Sequence, residues 1–522
     1  MPLFLGLDAS TQSLTAAVIE IAGDRRRLIL ESSLRFDEAL PAYGTQNGVL
    51  PASDPSVATS SPLMWAEALD RMMALVAENV DVRQIVALSG SAQQHGSVYW
   101  NSRARRGLES LDPARPLADQ LGPSLSRPTS PIWMDSSTSA ECAEITATLG
   151  GDATLAARTG SRAFARFTGP QIRRFSKQQP AAYVATARID LVSSFHASLL
   201  IGGQAPVDRA DASGMNLMDL TTNQWWPDAL RATAPDLKAK LPPIVPSSSI
   251  AGKLAPYWQI RYGFPAVDVV TWSGDNPCSL IGLGLIHEGQ LAISLGTSDT
   301  VFAPMNVPRV DPGGTGHVFG APTGAFMGLT CFQNGSLARE RIRDEHGMSW
   351  DGFSQALERT PPGNQGGLML PWFDPEITPR VHAGVRRHDL PPGDAVRNVR
   401  AVVEGQAMSM AIHSRWMGVE AETIHATGGG SRNGQVLQVI ADVFGAEVYR
   451  QDVGNSAALG AALRAAHAGM NAAGASRQWQ DVITGFCDRT VASCLHPRPL
   501  AHAAYRELTR RYAAFETLAL TR

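Results

Sequence analysis

Charge of one sign is scarce in this chain: 45 Lys and Arg face 48 Asp and Glu, leaving a net charge of -3 with the signs mixed along the sequence. A nucleic-acid groove needs concentrated positive charge. The one basic cluster, Arg103, Arg105 and Arg106, is short, is followed by acidic residues and reads as a solvated loop. Cysteine is sparse too. Cys142, Cys278, Cys331, Cys487 and Cys494 lie too far apart for a zinc knuckle or a CxxC redox pair, and an odd, low count fits free thiols in a reducing compartment. Long apolar runs are missing: the stretch from Leu191 to Val207 is broken by Ser193, Ser194, His196 and Gln204. The N-terminus has no basic region leading into an apolar one, and Asp8 interrupts its first apolar run. These absences predict a cytoplasmic enzyme with no nucleic-acid partner and no membrane partner. Also missing are GxxxxGK[ST] and the protein-kinase motifs, and GGGSRNG does not fit GxGxxG. Any nucleotide chemistry must therefore use another cradle.

What is present is an alternation of strands and helices. A length of 522 residues exceeds one compact core and predicts two large domains. Leu3–Leu7 and Ser13–Ile21 read as strands joined by the turn DASTQ, and Pro62–Val80 has apolar residues at helical spacing. Ile85–Leu88 reads as a short strand entering the turn SGSAQQHG. Periodicity vanishes in LPPIVPSSSIAGKLAP, Leu241 to Pro256, which predicts domains over 1–250 and 257–522. Beyond it Val267–Trp272 reads as a strand ending in SGDN, Gln290–Leu295 as one ending in GTSDT, and Thr423–Thr427 as one ending in GGGSRNG. Val399–Trp416, Gln435–Phe444, Ala457–Ala468 and Ala501–Leu520 read as helices. LFLGLDASTQSLTAAVIE and QLAISLGTSDTVFA share one plan, strand, polar turn, strand, which fits two similar halves. The predicted class is α/β.

The turns carry the candidate chemistry. Asp8, Ser10, Thr11 and Gln12 combine a carboxylate with hydroxyl, amide and backbone donors, a set suited to phosphate with a cation held by the acid. Gly296 and Thr297 offer similar donors in the second half; ordinary hairpin geometry is the alternative for both turns. Phosphoryl transfer to an alcohol needs a carboxylate that accepts the hydroxyl proton. Asp275 in SGDNP has that chemistry, with Asn276 beside it for a second hydroxyl, although from this motif alone an Asx turn is the stronger reading. His95 sits among Gln93 and Gln94, a plausible polar pocket. Asp135 in IWMDSS reads as a hydroxyl acceptor or a helix N-cap, and Arg162 and Arg166, four apart, would share a face on a helix. GGGSRNG joins a strand to a helix, where its glycines either let a nucleotide approach the backbone or form a packing turn.

In this order DASTQ, QQHG, the aspartate of SGDN, SLGTSDT and GGGSRN resemble the FGGY family of carbohydrate kinases, from Leu5 to about Ala466. GTQNGV, TSPLMW, LSGSAQQHGSVYW, PIWMDSS, GSRAFARFTG, SGMNL and RYGFP are similar to its eukaryotic-type xylulose kinase branch. The bacterial branch has a short MHG at the His95 turn and a WND-type stretch near Asp135. The resemblance implies two RNase H-like (actin-like ATPase) domains flanking a deep catalytic cleft that closes for transfer of the ATP γ-phosphate to the 5-hydroxyl of D-xylulose. It implies Asp275 as catalytic base and His95, Arg166, Asp275 and Asn276 as sugar ligands. Asp8, Thr11 and Gln12 would lie at the phosphates, Asp8 at Mg²⁺, and Gly296 and Thr297 opposite them. Gly429, Gly430, Asn433 and Trp350 would hold the adenosine. The expected partners are a small-molecule sugar and ATP, and the expected assembly is a monomer or homodimer. Rival expectations are a kinase of ribulose, fuculose, sedoheptulose or glycerol, and an actin-like or chaperone-like ATPase.

Overall fold

The computed structural model describes residues 1–451, 454–489 and 493–521. The chain forms two compact units. The first comprises Met1–Ile286, Phe319–Phe326 and Asn455–Asp488; the second comprises His287–Val318, Met327–Gly454 and Arg489–Arg522.

The first unit is built on a sheet in which the strand Leu3–Ala9 pairs antiparallel with Ser13–Ala22 and parallel with Ile85–Ala92. Arg25–Arg35 extends one side, and Asp268–Val270 and Ser273–Gly274 lie parallel to Ile85–Ala92 on the other. Side chains on a strand alternate between faces, and the sequence obeys this. Leu5 and Leu7 join a core with Met64, Trp65 and Leu69 of the helix Pro62–Asn79. Phe4 points into another core with Ala458, Ala462 and Ala466 of the helix Ser456–Ala472.

The second unit repeats the plan. Gln290–Leu295 pairs antiparallel with Asp299–Met305 and parallel with Thr423–Thr427, which in turn runs parallel to Glu447–Arg450. The echo between the two polar hairpin turns is thus an echo of two strands with equivalent neighbours.

The predicted boundary at Leu241–Pro256 does not match the contacts. Ile250–Lys253 pairs with Asp268–Val270, and both belong to the first sheet, so the first unit runs on to Ile286. Residues 455–488 also return to it. The helix Ser456–Ala472 can lie close because its contacts are glycines and alanines: a Cβ on Gly6 would stand 2.2 Å from the Ala462 nitrogen, and one on Gly460 would stand 1.9 Å from the Cys278 carbonyl oxygen. Two further readings are corrected. The strand Ile85–Ala92 extends through Ser89–Ala92, leaving a turn of only Gln93–Gly96. Arg162 and Arg166 lie between the helices Asp152–Thr159 and Thr168–Gln178 and not on one, because Gly160 ends the first in a left-handed conformation.

Candidate active site

In the first unit Leu3–Ala9, Ile85–Ala92 and Ser273–Gly274 are parallel neighbours, so their C-terminal ends lie at one sheet edge, where open α/β sheets bind ligands. The register sets Asp8 beside Ser91 and Ser91 beside Ser273. DASTQ, QQHG and Asp275–Asn276 therefore emerge side by side.

Asp275 is the first residue of the helix Asp275–Gly282. Its Oδ1 accepts the backbone N–H of Asn276 at 2.8 Å and the Nδ2 of Asn276 at 3.1 Å. Burial, then the neighbouring Asp8 charge, push its carboxyl up to about 7, against the pull of backbone N–H groups. Asn276 gives its other Nδ2 hydrogen to Gln94 Oε1 at 3.0 Å, so its own carbonyl faces away as an acceptor. Gln94 is held in turn, since a Cβ on Gly274 would stand 2.5 Å from Gln94 Cγ and one on Gly214 would stand 3.5 Å from its Nε2.

His95 has φ +70° and is buried. Its Nδ1 lies 2.8 Å from the Gly214 carbonyl, which only accepts, so Nδ1 carries the proton. Burial, then the Arg166 charge, pull the ring down to about 3, leaving a neutral imidazole with Nε2 as acceptor. His95 packs on Phe167 at 4.4 Å between ring centroids, and Arg166 lies over Phe164 and Phe167 at 5.4 and 5.8 Å. Arg162 lies 4.7 Å above Phe164, so one ring brings both arginines together without a helix.

Asp8 is pushed up to about 6 by burial, with Ser91 opposing, and its Oδ1 has no hydrogen-bond partner among the described residues. Thr11 Oγ1 accepts Trp133 Nε1 at 2.7 Å, and the Gln12 carbonyl accepts Phe36 N at 2.9 Å. A Cβ on Gly48 would stand 1.8 Å from the Thr11 carbonyl oxygen, which fixes the GTQNGV loop against this turn.

Asp135 is neither a hydroxyl acceptor for a ligand nor a helix cap. Ala58 N at 3.0 Å, Ser137 N at 3.0 Å, Ser137 Oγ and Gln171 Nε2 at 2.7 Å occupy its oxygens. It is a buried bracket for the loop that carries Trp133.

Three residues carry signals that sequence reading missed. Asp211 is buried, accepts from Ser193 Oγ, and is held well above the usual carboxylate range by burial and then by Asp208. Gln94 opposes that rise by a side-chain hydrogen bond, and both amide atoms of Gln93 are buried without a hydrogen-bond partner among the described residues. Trp133 is 43% exposed beside the Thr11 turn. Arg464, in an alanine-rich helix, sends its guanidinium to the carbonyls of Gly90 at 3.0 Å, Ser247 at 2.9 Å and Thr271 at 2.6 Å, and lies 3.8 Å from Asp208. It ties two of the site's strands from beneath.

In the second unit the turns at Leu295–Ser298 and Gly428–Gly430 touch. A Cβ on Gly428 would stand 2.6 Å from the Leu295 carbonyl oxygen and one on Gly430 2.9 Å from Leu295 Cβ. Gly296 and Thr297 form the hairpin turn before Asp299, whose carboxylate pairs with buried Arg339 at 2.9 Å. The two hairpins place their acids differently: Asp8 lies near the end of the strand before its turn, and Asp299 opens the strand after its turn. A pocket of about 490 Å³ is lined by Trp350, Ser354, Gly429, Gly430, Arg432 and Asn433, among others. Asn433 caps the helix Gly434–Phe444 and donates from Nδ2 to Ser354 Oγ at 2.9 Å. Arg343 lies 4.6 Å over the Trp350 ring. The structure thus collects Trp350, Gly429, Gly430 and Asn433 around one pocket.

Family comparison matches residues 129–282 to the N-terminal domain and 291–469 to the C-terminal domain of the FGGY family of carbohydrate kinases. The chain is 43% identical over 529 residues to the xylulose kinase of Mus musculus, covering 98% of this chain and 93% of that one. It is 42% identical to xylulose kinase 2 of Arabidopsis thaliana, covering 89% and 87%. The crystal structure of ligand-bound xylulose kinase from Lactobacillus acidophilus superposes with a TM-score of 0.82 at 17% identity, covering 99% of this chain and 98% of that one.

Proposed function

This chain belongs to the FGGY family of carbohydrate kinases, and on that premise we propose that it transfers the γ-phosphoryl group of ATP to the 5-hydroxyl of D-xylulose, with Asp275 as general base. The observation that carries the reading is the Asp275–Asn276–Gln94 arrangement beside His95 on the edge that also presents Asp8. The near-full-length likeness to xylulose kinases supports the choice of sugar.

His95 Nε2 and the Asn276 carbonyl accept sugar hydroxyls, and Arg166 donates to a sugar oxygen. Asp275, near 7, is poised to accept a proton at neutral pH as the hydroxyl attacks. Thr11 and Gln12 offer donors to phosphate oxygens, as do Gly296 and Thr297 in the second unit. Trp350 supplies a flat apolar surface for the base, while Gly429, Gly430 and Asn433 border the nucleoside. Ordering these groups before the chemical step spares its entropy, and excluding water prevents loss of the phosphoryl group to hydrolysis.

Asp8 suits Mg²⁺: its Oδ1 is unpartnered and its proton affinity is raised, as is that of Asp275, which the Asp8 charge destabilises. When bound, Mg²⁺ supplies positive charge to the phosphates. Among the described residues no helix is long and apolar enough to cross a membrane.

The test is ADP release with Mg-ATP across D-xylulose, D-ribulose, L-fuculose, sedoheptulose and glycerol. The highest kcat/KM should fall on D-xylulose. Sugar-independent turnover would support the ATPase reading, and a higher value for another acceptor would reassign the substrate.

A further inference from the structure

The geometry points to a zinc site on the second unit, formed by Glu447, Cys494 and His496. Glu447–Arg450 pairs antiparallel with the short strand Cys494–Leu495, with Tyr449 opposite Cys494 and Val448 opposite Leu495. That register continues to set Glu447 against His496. Residues two apart on a strand share a face, so Glu447, Tyr449, Cys494 and His496 form a square on one face of a two-stranded ribbon.

One ligand atom from each of Glu447, Cys494 and His496 lies within 4.8 Å of the others. His496 Nδ1 stands 3.2 Å from Glu447 Oε1, and Cys494 Sγ stands 3.8 Å from His496 Nε2 and 4.0 Å from its Nδ1. Tetrahedral zinc with ordinary bond lengths sets nitrogen and oxygen about 3.4 Å apart and nitrogen and sulfur about 3.6 Å apart. With His496 Nδ1 as ligand, its spacings to Glu447 and Cys494 are within a few tenths of an ångström of those values, and the Glu447 and Cys494 ligand atoms lie within 4.8 Å of each other. Thiolate, imidazole and carboxylate together favour zinc over the hard cations that accompany nucleotides. Three protein ligands leave the fourth position to water.

Neighbouring groups orient the ligands, as supporting groups do in metal sites. Tyr449 donates to Glu447 Oε2 at 2.7 Å, turning Oε1 toward His496. Gln438 Nε2 donates to the His496 carbonyl at 3.0 Å, fixing the backbone that carries the ring. A cysteine count finds no such site, since only one thiol takes part and Glu447 lies 47 residues before Cys494. Binding would fasten the edge strand to its neighbour just ahead of the helix Pro499–Leu520.

Full-length protein, stripped with chelator, is titrated with Co²⁺ and then Zn²⁺. One Co²⁺ per chain should bind with a thiolate-to-cobalt absorption band, be displaced by Zn²⁺, and bind at least tenfold more weakly in Cys494→Ser and in His496→Asn. Zn²⁺ should raise the melting temperature of the wild type and of neither variant, and both variants should phosphorylate sugar at the wild-type rate. Absence of the band at stoichiometric Co²⁺ would overturn the assignment. So would a band that survives in Cys494→Ser, because it would arise from another thiol.

Discussion

The side-chain carbonyl of Gln94 accepts a hydrogen bond from Asn276 Nδ2 at 3.0 Å, and the same Nδ2 reaches Asp275 Oδ1 at 3.1 Å. One amide thus spends both hydrogens inside the protein, which leaves its carbonyl as the acceptor that the proposed function assigns to a sugar hydroxyl. Gln94 sets that orientation.

Gln94→Met removes the acceptor while roughly keeping the volume. Loss of one such hydrogen bond is worth about 1 kcal/mol, or roughly fivefold. The kcat/KM for D-xylulose should fall about fivefold, and the preference over D-ribulose should narrow. Steady-state kinetics on both sugars checks this; an unchanged preference would remove Gln94 from sugar selection.

Asp275→Asn should lower kcat by roughly two to four decades. In the wild type, kcat/KM should rise about tenfold per pH unit up to about 7 and level off above it. The same shift has a stability consequence. The folded carboxyl keeps its proton between its ordinary 3.8 and about 7, where the unfolded chain has released it. Native stability therefore falls as pH rises through that window. Asp275→Asn removes this penalty and should melt higher than the wild type above pH 7, with the gap closing below 3.8. Calorimetry across pH measures it.

His95→Asn keeps a donor for the Gly214 carbonyl and tolerates the positive φ, but has nothing in place of Nε2. The KM for sugar should rise about 10- to 100-fold with kcat changed much less, as for loss of a binding contact. An unaltered KM would mean the ring only packs.

Arg464→Met leaves the Gly90, Ser247 and Thr271 carbonyls without their donor and Asp208 without its nearby cation. Removing one member of such a buried network costs about 3 kcal/mol or more. Urea unfolding should show this loss; an unmoved midpoint would refute a tie beneath the strand ends.

Local signals carried most of the secondary structure. Polar turns after apolar runs marked the strand ends at Leu7, Leu295 and Thr427; the last two lie there and the first strand runs two residues further, to Ala9. The site was legible where its residues are adjacent, as in QQHG and SGDN. It was illegible where distant segments meet. Nothing local marks the helix Ser456–Ala472 as part of the first unit, since its evidence is the fit of Gly460 and Ala462 against Cys278 and Gly6. Asp135 had the composition of a ligand, yet Ala58, Ser137 and Gln171 use its oxygens. Asp211 and Arg464 carry no local signal, because burial is a property of the packed chain.

The most direct test of sugar phosphorylation by Asp275 is the chemical identity of the product. Protein, Mg-ATP and D-xylulose would be followed by phosphorus NMR, with Asp275→Asn in parallel. A phosphomonoester coupled to the C5 methylene protons, formed by the wild type and not by the variant over the same time, is the predicted result. Inorganic phosphate alone, an ester at another carbon, or equal product from Asp275→Asn would contradict it.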